Sequence, residues 1–172
     1  LLSELSQILR TLHQTAIYVT HDQEEAFTIA DRIIVMRSGK IKQIGTPNEI
    51  YTHPASGYVA RFLGMTNIIS ATPERKNGEI GVQLPAAGWH PLTNFHKQPS
   101  RSHAPVSVLL RPTGAIISPR GNLLGKVTGV SFRGSSIRLQ IQPKQSPPLI
   151  FELPAPDELP QVGTQIRLKL PP

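Results

Sequence analysis

The 172-residue chain contains no cysteine. Disulfides and thiolate metal sites are therefore excluded, and stability must come from burial alone, as is usual for cytoplasmic proteins. Long apolar runs are also missing. Nothing approaches the roughly 20 consecutive apolar residues that a membrane-crossing helix needs, and the first residues show no basic stretch leading into an apolar segment and a small-residue cleavage site, so neither insertion nor export is expected. Aromatic side chains are scarce at 5%, with only Trp89, Phe95, Phe132 and Phe151 beyond residue 64. These are too few and too scattered to suggest a stacking platform for single-stranded nucleic acid. What remains, 38% hydrophobic residues in a chain of this length, suits one ordinary domain or two small ones with packed cores.

The charge is unevenly placed. Residues 1–64 balance Arg10, Arg32, Arg37, Lys40, Lys42 and Arg61 against Glu4, Asp22, Glu24, Glu25, Asp31 and Glu49, so the whole net charge of +7 falls on residues 65–172. Proline follows the same division, with Pro47 and Pro54 before residue 65 and all the others after it. Two composition shifts at one place predict a domain boundary near Gly64, because a proline-rich stretch does not continue a helical pattern.

Within residues 1–64, Leu1, Leu2, Leu5, Ile8, Leu9 and Leu12 recur at three and four apart and predict a helix ending near His13. The short apolar run Ala16-Ile17-Tyr18-Val19 has the character of a fully buried strand of a parallel sheet. Thr20 or Asp22 then caps a helix whose first turn is acidic. His21 is thus expected where a strand gives way to a helix, at the strand's carboxyl end, the edge at which open α/β sheets bind ligands. Two strands over 33–36 and 41–44 flank a turn in which Gly39 supplies a positive φ. Thr46-Pro47-Asn48-Glu49 has the form of a capping box with proline at the first helical position. A last helix from about Ala55 carries Tyr58, Val59, Phe62 and Leu63 and stops at Gly64.

After residue 64, short strands alternate with Gly/Pro punctuation, which predicts a small all-β barrel or sandwich. Candidate strands cover 67–71, 80–84, 106–111, 125–132, 136–142, 149–153 and 165–170, with 93–105 expected as an exposed polar loop.

The stretch Ile17-Tyr18-Val19-Thr20-His21-Asp22-Gln23-Glu24-Glu25-Ala26, followed by Ala30-Asp31-Arg32-Ile33 and Met36-Arg37-Ser38-Gly39-Lys40-Ile41, resembles the closing third of an ATP-binding-cassette (ABC) ATPase nucleotide-binding domain. Gly45-Thr46-Pro47, Tyr51, Pro54, Phe62 and Leu63-Gly64 are similar to the subgroup serving importers of maltose, polyamines, sulfate and ferric iron. In that subgroup an OB-like β-domain called TOBE follows, and Leu110-Arg111-Pro112, residues 125–134 and residues 162–170 resemble it. The resemblance implies an α/β fragment, the end of the cassette, over 1–64 and an all-β OB-like TOBE domain over 65–172. The family's other ATP-site motifs are absent: there is no G-x-x-x-x-G-K-[ST] phosphate loop, no Walker B strand and no Leu-Ser-Gly-Gly-Gln signature. The chain is accordingly expected to be a fragment that does not hydrolyse ATP alone, although the parent protein does so with Mg.

By the same resemblance, His21 is the switch histidine, both catalytic and nucleotide-binding: it contacts the γ-phosphate and attacking water, and the fragment itself is expected to hold no cofactor. That role fits phosphoryl transfer, where positioning and electrostatic stabilisation supply most of the catalysis. On residue type alone, a histidine here also packs or caps. His21, Asp22, Glu24 and Glu25 could be read as a metal site, but they fan over more than one face of a helical turn, and no metal is expected. The implied partners are a second ATPase subunit in a homodimer, permease subunits and, indirectly, a solute-binding protein, at the inner face of the cell membrane. For the β-domain the resemblance implies regulation and dimer contact, and the basic residues Arg111, Lys126, Arg133, Arg138, Arg167 and Lys169 would suit an anion if they are not merely a solvated face. The rival reading, an OB-fold binding single-stranded nucleic acid, meets the aromatic poverty already noted.

Overall fold

Apolar spacing changes period at Gly64, and the chain changes architecture with it. The computed structural model, which describes residues 2–92 and 104–171, divides into the units Leu1–Gly64 and Met65–Pro172.

In the first unit, α1 (Leu2–Thr11) follows the three-and-four spacing of its leucines. It ends where His13 turns to a φ of 51° and Gln14 N–H reaches the Leu9 carbonyl at 3.2 Å, a left-handed C-terminal closure. The expected strand over 16–19 is not formed. Residues 14–20 have no regular secondary structure, and Ile17 and Val19 are 93% and 89% exposed. A parallel strand exists only through neighbours that pair its N–H and C=O groups and cover both faces, and the described residues supply none here.

Helix α2 (Gln23–Ile29) begins at the N-cap Asp22. Strands β1 (Ile33–Arg37) and β2 (Lys40–Gly45) pair antiparallel through a turn with Ser38 at φ 49° and Gly39 at φ 71°, both left-handed, the arrangement that matches the twist of a two-residue hairpin. Thr46 closes a complete capping box on α3 (Pro47–Thr52), and Ser56 caps α4 (Gly57–Phe62), which ends at Gly64 with φ 72°. Gln43 ties the hairpin to these helices: its amide donates to the His53 carbonyl at 2.9 Å and accepts from Ala55 N–H at 2.6 Å. Val35, Ile50, Val59 and Ala60 are buried. Full burial of a side chain such as Ile50 or Val59 is worth about 1.5–3 kcal/mol.

The second unit is built from two antiparallel sheets. Strands β3 (Ile68–Lys76), β4 (Glu79–Leu84), β5 (Gly88–Pro91) and β6 (Val106–Leu109) form one in the order β5-β4-β3-β6. Strands β7 (Ile116–Ile117), β8 (Leu123–Phe132), β9 (Ser136–Pro143), β10 (Leu149–Pro154) and β11 (Gln165–Lys169) form the other in the order β10-β9-β8-β11-β7. Alternate residues point inward, as the two-residue period of a strand demands: Ile137, Leu139 and Ile141 of β9 meet Leu149, Phe151 and Leu153 of β10. Ile69, Ala71, Val82, Leu84 and Val108 of the four-stranded sheet join the same core, so an OB-like all-β domain follows the α/β unit.

All seven strands read from the sequence are present, and β5 and β7 are added. Beyond residue 71, β3 continues through Pro73 because its β6 neighbour has ended there and only β4 still pairs with it. A proline is tolerated where its missing N–H faces an open edge. The loop expected over 93–105 falls outside the described residues except for 104 and 105, which have no regular structure.

Candidate functional site

His21 lies between the extended segment and α2, with its side chain exposed. Its neighbours are locked together. Thr20 Oγ1 accepts from Asp22 N–H at 2.9 Å and donates to Glu25 Oε2 at 2.6 Å. Asp22 Oδ1 accepts from the Glu24 and Glu25 N–H groups at 2.8 and 3.3 Å, satisfying two of the amides a helix start leaves unpaired. Tyr18 Oη donates to the same Glu25 Oε2 at 3.0 Å. The hydrogen bond to Glu25 raises the Tyr18 phenol above its ordinary value, with smaller contributions from burial and from the negative charges of Glu25 and Asp22. The residues on both sides of His21 are thus fixed, while the imidazole itself takes no hydrogen bond among the described residues.

Helix α2 is anchored in turn. Gln23 Nε2 donates to the Phe62 carbonyl at the end of α4, and Phe27 meets Tyr51 of α3 edge to face with ring centroids 6.2 Å apart. Arg37 lies 4.6 Å above the Tyr58 ring, joining the hairpin to α4. At the start of α3, Glu49 accepts from Thr46 N–H at 2.8 Å while Thr46 Oγ1 accepts from Glu49 N–H at 3.3 Å. The backbone N–H of Thr46, followed by its hydroxyl and by the more distant Arg32 and His53, holds the Glu49 carboxyl below its usual range.

A nucleotide with its metal requires several phosphate donors and a cation site, and the residues around His21 do not provide them. Asp22 and Glu25 face the local backbone and hydroxyls, and no group of three or more His, Cys, Asp or Glu suited to a metal occurs among the described residues. The arrangement leaves the exposed imidazole of His21 beside a hydrogen-bonded helix start.

In the second unit the six basic residues do not form a single cluster. Lys126, Arg167 and Lys169 share the solvent face of β8 and β11, where Gln165 pairs with Lys126, whereas Arg138 lies opposite Ser131 towards the other end of β8. Arg133 faces Glu152 at 3.8 Å, and Arg167 donates to the Gly121 carbonyl at 3.2 Å. An open groove lined by Ile117, Leu124, Ile166 and Arg167 contains only that one cation of the six.

Two side-chain contacts have no signal in the sequence. Sequence alone offers Glu25 as part of the acidic helix start or of a metal cluster, and the pairing of Tyr18 and Thr20 onto it has no signal in spacing, since it depends on the chain bending at His21. Buried Asn67 likewise gave none, because its partner is Ile150, 83 positions away.

The TOBE domain family matches residues 108–172. The chain is 41% identical over 153 residues to the sulfate/thiosulfate import ATP-binding protein of Chromobacterium violaceum, a match that covers 86% of this chain and 40% of that protein. It is 38% identical over 145 residues to the spermidine/putrescine import ATP-binding protein of Vibrio cholerae, covering 81% of this chain and 38% of the relative. With the Fe(3+) ions import ATP-binding protein of Streptomyces coelicolor it shares 39% over 153 residues, 87% of this chain and 40% of the relative. Over most of its own length the chain is similar to ABC import ATP-binding proteins, with a TOBE match in its second unit. It spans about 40% of the length of these importer relatives, and the TOBE match falls on β7 to β11 and the end of β6.

Proposed function

We propose that this chain is the part of an importer ATPase that supplies the switch histidine, His21, together with a regulatory β-domain. The observation that carries the reading is the similarity to three import ATP-binding proteins of different solutes, each running over more than four-fifths of the chain. The geometry supports it: an imidazole held free of local partners on a rigid helix start is suited to meet a γ-phosphate and attacking water brought by other elements. Binding of ATP and Mg belongs to the longer protein, which works as a dimer on permease subunits at the inner face of the cell membrane and takes its solute through a binding protein. The nucleic-acid alternative has no observation in its favour.

A phosphate-release assay on this chain with ATP and Mg tests the division of labour. No turnover above buffer is expected, because a lone histidine positions nothing by itself. Magnesium-dependent hydrolysis that disappears in His21→Ala would contradict it.

A further inference from the structure

We infer that Glu25 is the positioning residue for His21. The inference rests on the reading of His21 just given and deepens it. Two hydroxyls, Tyr18 Oη and Thr20 Oγ1, converge on one oxygen of Glu25 at 3.0 and 2.6 Å. The Thr20 hydroxyl is also the acceptor for Asp22 N–H at 2.9 Å, and Asp22 in turn holds the Glu25 N–H at 3.3 Å. The result is a closed ring, Glu25 carboxylate to Thr20 hydroxyl to Asp22 backbone to Asp22 carboxylate and back to Glu25 N–H, and His21 is the residue the ring spans. Hydrogen bonds onto an ionised carboxylate are among the stronger ones, roughly twice a neutral pair.

The neighbouring Glu24 has the same chemistry one position earlier, but its side chain is exposed and its carbonyl serves only Thr28 of the same helix. Successive helix residues point about 100° apart, so only one of the two glutamates turns back to the residues before His21. Glu25, half-buried against Tyr18 and Thr20, is that one. A positioning residue of this kind leaves the imidazole's own chemistry untouched and fixes where the backbone presents it, which is what a near-attack geometry demands.

The test uses the 172-residue chain and two pairs of variants, Glu25→Gln and Glu25→Ala beside Glu24→Gln and Glu24→Ala. NMR follows the Tyr18 phenol titration, the exchange rate of the Asp22 amide and the order of the His21 backbone. In Glu25→Ala the Tyr18 titration should move down to the ordinary tyrosine range, the Asp22 amide should exchange about tenfold faster because its acceptor, the Thr20 hydroxyl, loses its anchor on Glu25, and His21 should become mobile. Glu25→Gln, which keeps an acceptor oxygen but no charge, should lie between Glu25→Ala and the native chain. Both Glu24 variants should leave all three readouts unchanged; being on the same helix, they report any general fraying of α2. Equal effects from the Glu24 and Glu25 pairs, or an unmoved Tyr18 titration in Glu25→Ala, overturn the inference. The reading of His21 itself fails separately, if His21→Ala leaves hydrolysis by a complete cassette intact.

Discussion

The side-chain amide of Asn67 pairs with both backbone groups of Ile150, donating to its carbonyl at 2.6 Å and accepting from its N–H at 2.7 Å. Asn67 stands immediately before β3, in one sheet of the second unit, and Ile150 lies in β10, the edge of the other. Since the Asn67 carbonyl also receives Leu110 N–H at 2.9 Å, this one buried residue, 1% exposed, joins three segments of the β-domain. Replacement by Ala leaves the part-buried Ile150 donor and acceptor without their Asn67 partner. Asn67→Ala should therefore lower stability by roughly 2 kcal/mol or more, read by urea unfolding of the chain. Asn67→Asp should do at least as badly, because a carboxylate cannot donate to the Ile150 carbonyl.

Trp89 is the chain's single tryptophan, and its ring lies over Gly81 of the adjacent strand. A Cβ at position 81 would sit 2.5 Å from the Trp89 ring and 2.5 Å from the His90 carbonyl oxygen, and the latter is backbone that cannot step aside. Gly81→Ala should cost about 1–3 kcal/mol by overpacking and move the tryptophan emission to longer wavelength as the ring is displaced into water.

The carboxyl of Glu49 is held below its usual range chiefly by the Thr46 N–H. A depressed carboxylate contributes stability above its unfolded pKa and loses it as pH falls through the folded one. The capping of α3 should therefore persist down to the acid side of the ordinary glutamate range and then be lost. Carboxyl-carbon NMR should give Glu49 a midpoint below that of a free glutamate, returning towards it in Thr46→Ala, which removes the hydroxyl of the box.

Ile17 and Val19 contribute almost nothing to the fold of this chain, being 93% and 89% exposed. Exposed apolar side chains in an unpaired extended segment favour association between chains. Replacing both with Ser should change unfolding free energy by less than about 0.5 kcal/mol while reducing self-association seen by light scattering at raised concentration.

Much of this was legible in local chemistry. The capping box at Thr46 and Glu49, the Gly39 turn and the Gly64 helix end are satisfied within a few residues of themselves, so spacing suffices to read them. The β9 and β10 cores were equally plain, because alternation carries its own register. The run Ile17-Tyr18-Val19 misled, since a buried strand and an apolar segment awaiting neighbours have the same sequence. Strand β5 hid in a Gly- and Pro-bounded stretch, and the hairpin at Asn77-Gly78, with φ values of 51° and 85°, was masked by Pro73 and the charges that follow it. At the candidate site the position of His21 at a helix start was foreseen, whereas the ring through Glu25 was not, because it depends on where the backbone bends.

The most direct measurement is ATP hydrolysis by a single polypeptide in which this chain replaces the matching segment of the sulfate/thiosulfate import ATP-binding protein, compared with its His21→Ala form. Removal of one positioned transition-state donor should lower kcat by about a hundredfold or more, with KM for ATP little changed. A His21→Ala hybrid that hydrolyses ATP at the rate of its His21 parent would contradict the assignment of this imidazole to the nucleotide site.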